Sequence, residues 1–188
     1  MSELLPLVWL DADGVIGALP KEGDEFSYTQ YQTYVVPCRG ELFYFLFRPA
    51  VIAALNAASN TVEIRWHTMW GDAAQNELAP EIGLKEFTVS NPNPTGGGIP
   101  SRGAFSLTWW KVQAIREEAS LNPGRPMMWL DDNISADLHQ HLNESENGAP
   151  DSLSWIQPRP ARGLDRLDLA AFAQWVADPS ATIRIRRS

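Results

Sequence analysis

Six polar side chains stand at or near the ends of predicted strands and helices, and their types are those that phosphoryl transfer uses: Asp11, Asp13, Thr68, Lys111, Asp131 and Asp132. The apolar run of residues 4–10 ends at the first two, and the run Met127–Leu130 ends at the last two. A charged group that follows a buried strand cannot remain in the apolar layer, so it has to emerge at the edge of the sheet. Several strands are therefore expected to direct these side chains to one rim.

Asp11 is the candidate nucleophile. A carboxylate at the last position of a strand is held rigidly, and it can attack phosphorus to form an aspartyl-phosphate. Asp13 lies two residues further on, roughly 6–7 Å away along an extended chain. This separation would allow Asp13 to act as the general acid on the leaving-group oxygen. Lys111 and the Thr68 hydroxyl would neutralise and orient the phosphoryl oxygens, with Lys85 as the alternative lysine.

The acidic residues also predict a metal site. Carboxylates that are brought together at low dielectric repel one another strongly, so a divalent cation is needed to keep them ionised. Asp11, Asp131 and Asp132 supply hard oxygen ligands from neighbouring strands, which suits Mg²⁺. The residue types leave open which acid of the Asp131-Asp132 pair contacts the metal directly.

The elements that must position these residues follow from apolar periodicity. Strands are predicted at residues 4–10, 61–66, 127–130 and 153–156, and helices start near residues 49, 71, 108 and 165. Aromatic and β-branched residues at 28–36 and 41–47 flank a Pro37/Gly40 turn and predict a hairpin, while residues 90–103 predict a long loop. Alternating strands and helices indicate an α/β fold with a mostly parallel sheet covered on both faces. In such sheets ligands bind at the carboxyl ends of the strands.

In this order and context, the motifs resemble those of the haloacid dehalogenase (HAD) superfamily, and in particular the HAD domain of RNA-repair-associated proteins. The resemblance rests on Asp-Ala-Asp-Gly-Val at 11–15, Trp-His-Thr-Met-Trp at 66–70, the helix-borne Lys111 and Trp-Leu-Asp-Asp at 129–132, and it runs from about Leu7 to Trp175. It implies a Rossmann-like three-layer core within a single domain, 1–188. An insertion at 17–47 would form a flap or small cap over the site.

The same resemblance implies roles for individual residues. Asp11 would be the nucleophile and Asp13 the acid/base, and Asp13 would also offer its backbone carbonyl to Mg²⁺. The chain departs from the common pattern of the superfamily in its last motif. There a longer polar spacing often follows the first acid, whereas Asp131 and Asp132 are adjacent.

Aromatic residues flank several of these motifs. His67, beside Thr68, is expected to be a wall or supporting group rather than a catalyst. Most of the eight tryptophans are expected to lie in the core. Trp70 and Trp109 are candidates for stacking on a substrate ring, although burial is the favoured interpretation.

Composition limits the classes of function. With 188 residues and 44% apolar residues, the chain fits one globular domain, and no apolar run is long enough to span a bilayer. The single cysteine, Cys38, and the acidic N-terminus favour a cytoplasmic protein. A net charge of −8 does not support nucleic-acid binding by the body of the protein. The C-terminal arginines 184, 186 and 187 suit a solvent-facing edge strand, with a partner-binding tail as the alternative.

The combined prediction is a Mg²⁺-dependent phosphatase that acts on a phosphomonoester of unknown identity. Three alternatives use similar residues. In a phosphorelay receiver the acidic pair follows the first strand, whereas here the pair Asp131-Asp132 is the last of the motifs along the chain. A metal-dependent glycosyltransferase needs a nucleotide-binding half before its Asp-x-Asp motif, and only ten residues precede Asp11. A non-catalytic interaction protein with the same fold remains open, as does a phosphatase of nucleic-acid ends.

Overall fold

The computed structural model describes residues 4–24, 27–38, 40–91, 110–134 and 153–187. Its strands are β1 Leu7–Leu10, β2 Gln32–Cys38, β3 Glu41–Phe47, β4 Glu63–Trp66, β5 Thr88–Val89, β6 Met127–Leu130, β7 Leu153–Gln157 and β8 Arg184–Arg186. Its helices are α1 Pro49–Ala58, α2 Ala79–Ile82, α3 Trp110–Leu121 and α4 Arg166–Ala177, with a 3₁₀ turn at Tyr28–Gln30 and a π-helical turn at Ala74–Leu78. Most of the predicted loop at 90–103, and Trp109, lie outside the described residues.

A six-stranded parallel sheet has the order β5-β4-β1-β6-β7-β8. After β1 the chain adds β4 and β5 on one side, and it then crosses back to add β6, β7 and β8 on the other. The strand order therefore reverses between β1 and β6, and ligands of open α/β sheets bind at the carboxyl end of such a switch point. The predicted α/β class is confirmed, and the arrangement is consistent with a Rossmann-like fold.

Helices cover both faces of the sheet. Leu7 and Trp9 of β1 pack in the cluster that includes Val112 and Ile115 of α3. Val8 and Leu10 pack in the opposite cluster, with apolar side chains of α1 and α4. Because successive side chains of a strand point to opposite faces, a strand buried on both sides has to be apolar at every position. This accounts for the continuous apolar runs of β1 and β6.

The predicted hairpin is present as β2 and β3, which pair antiparallel as a separate two-stranded sheet. It begins later than predicted, because residues 28–30 form the 3₁₀ turn. Ala18 N donates a hydrogen bond to Leu46 O at 2.7 Å, which joins the hairpin to the segment that follows β1. Gly17 is required at this junction, since a Cβ there would lie 2.6 Å from the ring of Phe45.

The helix predicted to start near residue 71 has a less regular form. It contains one π-helical turn at Ala74–Leu78, and a short α-helix follows at Ala79–Ile82. Pro80 explains the change, because it has no N–H to donate and its ring excludes the carbonyl four residues earlier from the usual position.

The predicted C-terminal edge strand is confirmed as β8, where the side chains of Arg184 and Arg186 are exposed. Asp165 caps α4 by accepting hydrogen bonds from Leu167 N and Asp168 N. No helix in the described part of the chain combines the length and apolarity needed to cross a membrane.

Candidate functional site

The carboxyl ends of β4, β1 and β6 are level with one another. Leu10 is in register with Trp66 on one side and with Leu130 on the other. The hydrogen-bond ladder continues for one more residue, because Asp11 N donates to Leu130 O at 3.0 Å and His67 N donates to Leu10 O at 2.7 Å. The backbone at the predicted nucleophile is therefore fixed by the sheet itself.

The Lys111 ammonium lies between two of the predicted site residues. Its Nζ is 2.5 Å from Asp11 Oδ2 and 2.7 Å from Asp131 Oδ2. All three side chains are buried. Lys111 lies in the first turn of α3, so this helix carries the cation to the switch point between β1 and β6. Lys85, the alternative lysine, is exposed and bonds instead to Asn56, Ser59 and Asn60.

Charge in this cluster is unbalanced. Burial alone would lower the pKa of Lys111, but the adjacent Asp11 and Asp131 carboxylates more than offset this effect and raise the pKa. Burial raises the pKa of Asp131 to about 6, because the Lys111 ammonium offsets only part of this effect and the Asp11 charge adds to it. Burial, together with the charges of Asp131 and Asp11, raises the pKa of Asp132 to about 7. Three carboxylates thus share one ammonium among the described residues.

Asp11, Asp131 and Asp132 form a group that fits a metal ion. One carboxylate oxygen from each lies within 4.8 Å of the others. Asp131 is already engaged, because its Oδ2 accepts from Lys111 and Trp129 and its Oδ1 accepts from Asn133 N. Within the described part of the chain, no group donates a hydrogen bond to Asp132. The three oxygens are hard ligands, and a divalent cation would neutralise the excess negative charge.

Gly14 creates the space for Asp132. Its φ of +69° lies in the left-handed region that glycine adopts without strain. A Cβ at this position would lie 2.4 Å from Asp132 Oδ2 and 2.5 Å from its Cγ. The Asp-x-Asp-Gly motif therefore contributes a glycine against which the last acid of the site packs directly.

Asp13 lies beside the carboxylate cluster and is held by an indole. Trp70 Nε1 donates a hydrogen bond to Asp13 Oδ2 at 2.9 Å. Burial raises the pKa of Asp13, against the lowering effect of this bond. Thr68 is buried two residues beyond the end of β4, and its Oγ1 accepts from Trp70 N at 3.4 Å. The loop after β4 thus places Thr68 and Trp70 at the same sheet edge as Asp11.

The His67 ring supports Lys111 by contacting the backbone carbonyl of that lysine. Its Nε2 is 3.0 Å from Lys111 O and its Nδ1 is 2.8 Å from Ser90 Oγ. Burial, reinforced by the charge of Lys111, lowers the pKa of His67 well below its ordinary value, so the ring is neutral. A carbonyl oxygen only accepts, so Nε2 carries the hydrogen. Ser90 Oγ lies 2.8 Å from both Nδ1 and Trp66 O, so its single hydrogen is divided between these two acceptors. No sequence signal identifies this role, because the partner is a backbone carbonyl far along the chain.

Comparison with known proteins adds no identification. The chain matches no protein-family model, and it has no significant match among curated proteins or solved structures. The residues of the site are therefore the basis for inferring a function.

Proposed function

We propose that this chain is a Mg²⁺-dependent phosphatase with a HAD-like catalytic site, acting on a phosphomonoester through an aspartyl-phosphate. One observation carries the proposal: Asp11, Lys111, Asp131 and Asp132 converge at the switch point of a parallel sheet, from segments far apart in the chain. Turn formation alone would account for an Asp-x-Asp-Gly sequence, but it would not bring a buried lysine from another helix onto the first aspartate.

The residues divide the chemistry between them. A carboxylate oxygen of Asp11 attacks phosphorus, which forms the acyl phosphate and breaks the phosphorus–oxygen bond to the alcohol. Asp13 donates a proton to the departing oxygen and then accepts one from the water that attacks phosphorus in the second step. That step breaks the bond to Asp11 and releases inorganic phosphate. Lys111 and Thr68 stabilise the charge on the phosphoryl oxygens throughout.

Asp11, Asp131 and Asp132 would hold Mg²⁺, together with the backbone carbonyl of Asp13. When bound, the ion supplies positive charge that offsets the carboxylates and the phosphoryl group. Since Asp131 already accepts three hydrogen bonds, Asp132 is the acid of the pair with more lone pairs available to the ion. We assign Asp132 as a direct ligand for this reason.

The β2–β3 hairpin would serve as the flap or small cap of the site. It is joined to the segment directly after β1, through the hydrogen bond from Ala18 N to Leu46 O. Its inner face also contacts Trp70, which donates a hydrogen bond to Asp13, because the rings of Phe43 and Trp70 are 5.5 Å apart. The hairpin therefore lies where it can cover a substrate bound at Asp13.

Hydrolysis of para-nitrophenyl phosphate, with Mg²⁺ and with EDTA, tests the proposal. We expect turnover that requires the metal and that falls by at least about 1,000-fold in Asp11→Asn. Asp72→Asn is the matched control, because it makes the same change at an exposed aspartate and should retain full activity. Mass spectrometry of the quenched reaction should find phosphate on the peptide that contains Asp11.

Full activity in Asp11→Asn, or turnover that is unaffected by EDTA, would contradict the mechanism. If no phosphomonoester is hydrolysed although Mg²⁺ binds, the result would favour a non-catalytic protein that has kept the site.

A further inference from the structure

A cavity of about 400 Å³ opens beside Asp13, between the tip of the hairpin and the loop after β4. The described residues that line it are Asp13, Cys38, Glu41, Phe43, Met69 and Trp70. Its volume falls in the range of small-molecule sites, which are mostly apolar with a few polar groups that fix orientation. It is therefore large enough for a ring system.

The cavity begins where the proposed reaction would leave its alcohol. Trp70 both lines the cavity and donates a hydrogen bond to Asp13 Oδ2. If Asp13 protonates the departing oxygen, the group attached to that oxygen has to extend from Asp13 into this space. On this mechanism the cavity would be a leaving-group site and not a second phosphate site.

The walls suit a flat apolar group. Phe43 and Trp70 present rings with centroids 5.5 Å apart and an interplanar angle of 56°. Phe43 and Met69 remain 40% and 36% exposed, although both are large apolar residues that burial would stabilise. A third ring inserted here would gain edge and face contacts with the aromatic walls, and the Met69 thioether can adapt to its outline.

Among the described residues that line the cavity, the charged side chains are of one sign. Its ionisable carboxyl groups are Asp13 and Glu41, and no lysine or arginine lines it among the described residues. Glu41 is exposed and pairs with Cys38 at the tip of the hairpin, so its carboxylate faces an entering ligand from the rim. A second anionic group on the substrate would be repelled there, whereas a cationic group would be attracted.

From these features we propose that the cavity selects phosphomonoesters whose leaving group is a planar aromatic system without negative charge. This inference rests on the proposed function, since that function defines which end of the substrate enters the cavity. It goes further in naming the substrate class and in assigning specificity to Phe43 and Glu41.

Binding of non-hydrolysable phosphonates to the full chain with Mg²⁺, measured by calorimetry, tests the inference separately from turnover. We expect benzylphosphonate to bind at least about fivefold more tightly than ethylphosphonate. A para-aminomethyl group should strengthen binding, and a para-carboxyl group should weaken it. Phe43→Ala should remove most of the benzyl preference. Tyr44→Ala removes an aromatic side chain that is 81% exposed on the opposite face of the same strand, so it should leave the preference unchanged.

Glu41→Lys provides the second test. Because Glu41 is exposed, the change should not affect folding, and it should reverse the order of the carboxyl and aminomethyl compounds. Equal affinity for the ethyl and benzyl compounds, or an unchanged order in Glu41→Lys, would overturn the inference even if the protein hydrolyses para-nitrophenyl phosphate. A benzyl preference that depends on Phe43, in a protein without phosphatase activity, would support the cavity assignment and contradict the proposed reaction.

Discussion

Replacing Gly14 by alanine should weaken Mg²⁺ binding although it replaces no metal ligand. The added Cβ would lie 2.4 Å from Asp132 Oδ2, whereas ordinary contacts begin at 3.4 Å. The new Cβ is fixed to the backbone of residue 14, whereas the Asp132 side chain can rotate. The Asp132 carboxylate is therefore the group that has to move, by roughly 1 Å. Mg²⁺ requires near-ideal octahedral geometry, so a displacement of this size should lower the affinity by about 10- to 100-fold.

The same substitution also carries a cost that has nothing to do with the metal. Gly14 has φ of +69°, and a side chain in this region costs about 1–2 kcal/mol. Gly83 separates the two effects, because its φ is +77° and a Cβ there would have no atom within 4 Å. Gly83→Ala should therefore show the backbone cost alone.

The assay is chemical denaturation of wild type, Gly14→Ala and Gly83→Ala, in EDTA and across a Mg²⁺ titration. Both variants should lose free energy of unfolding in EDTA, and Gly14→Ala should lose at least as much as Gly83→Ala because it also displaces Asp132. Only Gly14→Ala should need a higher Mg²⁺ concentration to regain stability. If Gly14→Ala binds Mg²⁺ within twofold of wild type, then Asp132 is not a ligand in the position described, and its packing against Gly14 does not control metal binding.

Three further predictions concern groups around the site and the base of the sheet. Lys111→Met should lower kcat by about 100- to 1,000-fold, because it removes the buried charge that pairs with Asp11; a loss below tenfold in steady-state kinetics would contradict this role. His67→Phe should lower kcat by about tenfold at nearly constant KM, because Lys111 loses its backbone support; Ser90→Ala, which keeps the donor at Nε2, should lose much less in the same kinetics, and equal losses would argue against this tether. Glu118→Gln should cost about 2–3 kcal/mol at neutral pH, since Glu118 accepts from two arginines. Burial alone would raise the pKa of Glu118, but those arginines more than offset this and lower it. The stability that Glu118 contributes is therefore present above its unfolded pKa and is lost as the pH falls through its folded pKa. Urea denaturation across this range should show the free energies of unfolding of wild type and variant converging in acid.

Much of the fold was predictable because local signals and tertiary packing agree. Pro49, in the first turn of α1, marks the start of that helix in the sequence. β1 and β6 were recognisable because a strand buried on both faces has no polar position until it ends. The residues at those ends could be assigned to one rim for the same reason.

Other features depended on interactions that leave no local pattern. β5 has two residues, too few for any periodicity, and it exists because it pairs with the edge of β4. The choice of Lys111 over Lys85 was open in the sequence, since only the crossing of α3 over the sheet brings one ammonium to Asp11. The difference between Asp131 and Asp132 likewise appeared only when the hydrogen bonds of each carboxylate were known.

We expect the carboxylate cluster to oppose folding in the absence of metal, because its charges repel one another. Asp132 lies with its oxygen within 4.8 Å of oxygens from Asp11 and Asp131, and no described residue donates a hydrogen bond to it. Asp132→Asn removes the repulsion, so it should stabilise the metal-free protein by on the order of 1–3 kcal/mol while abolishing stabilisation by Mg²⁺. Asp72→Asn, at an exposed position, should change neither quantity. If Asp132 had only a structural role, Asp132→Asn would instead lower the free energy of unfolding in EDTA. If Asp132→Asn is less stable than wild type in EDTA and still responds to Mg²⁺, the acidic cluster is not a metal site and the phosphatase proposal loses its main support.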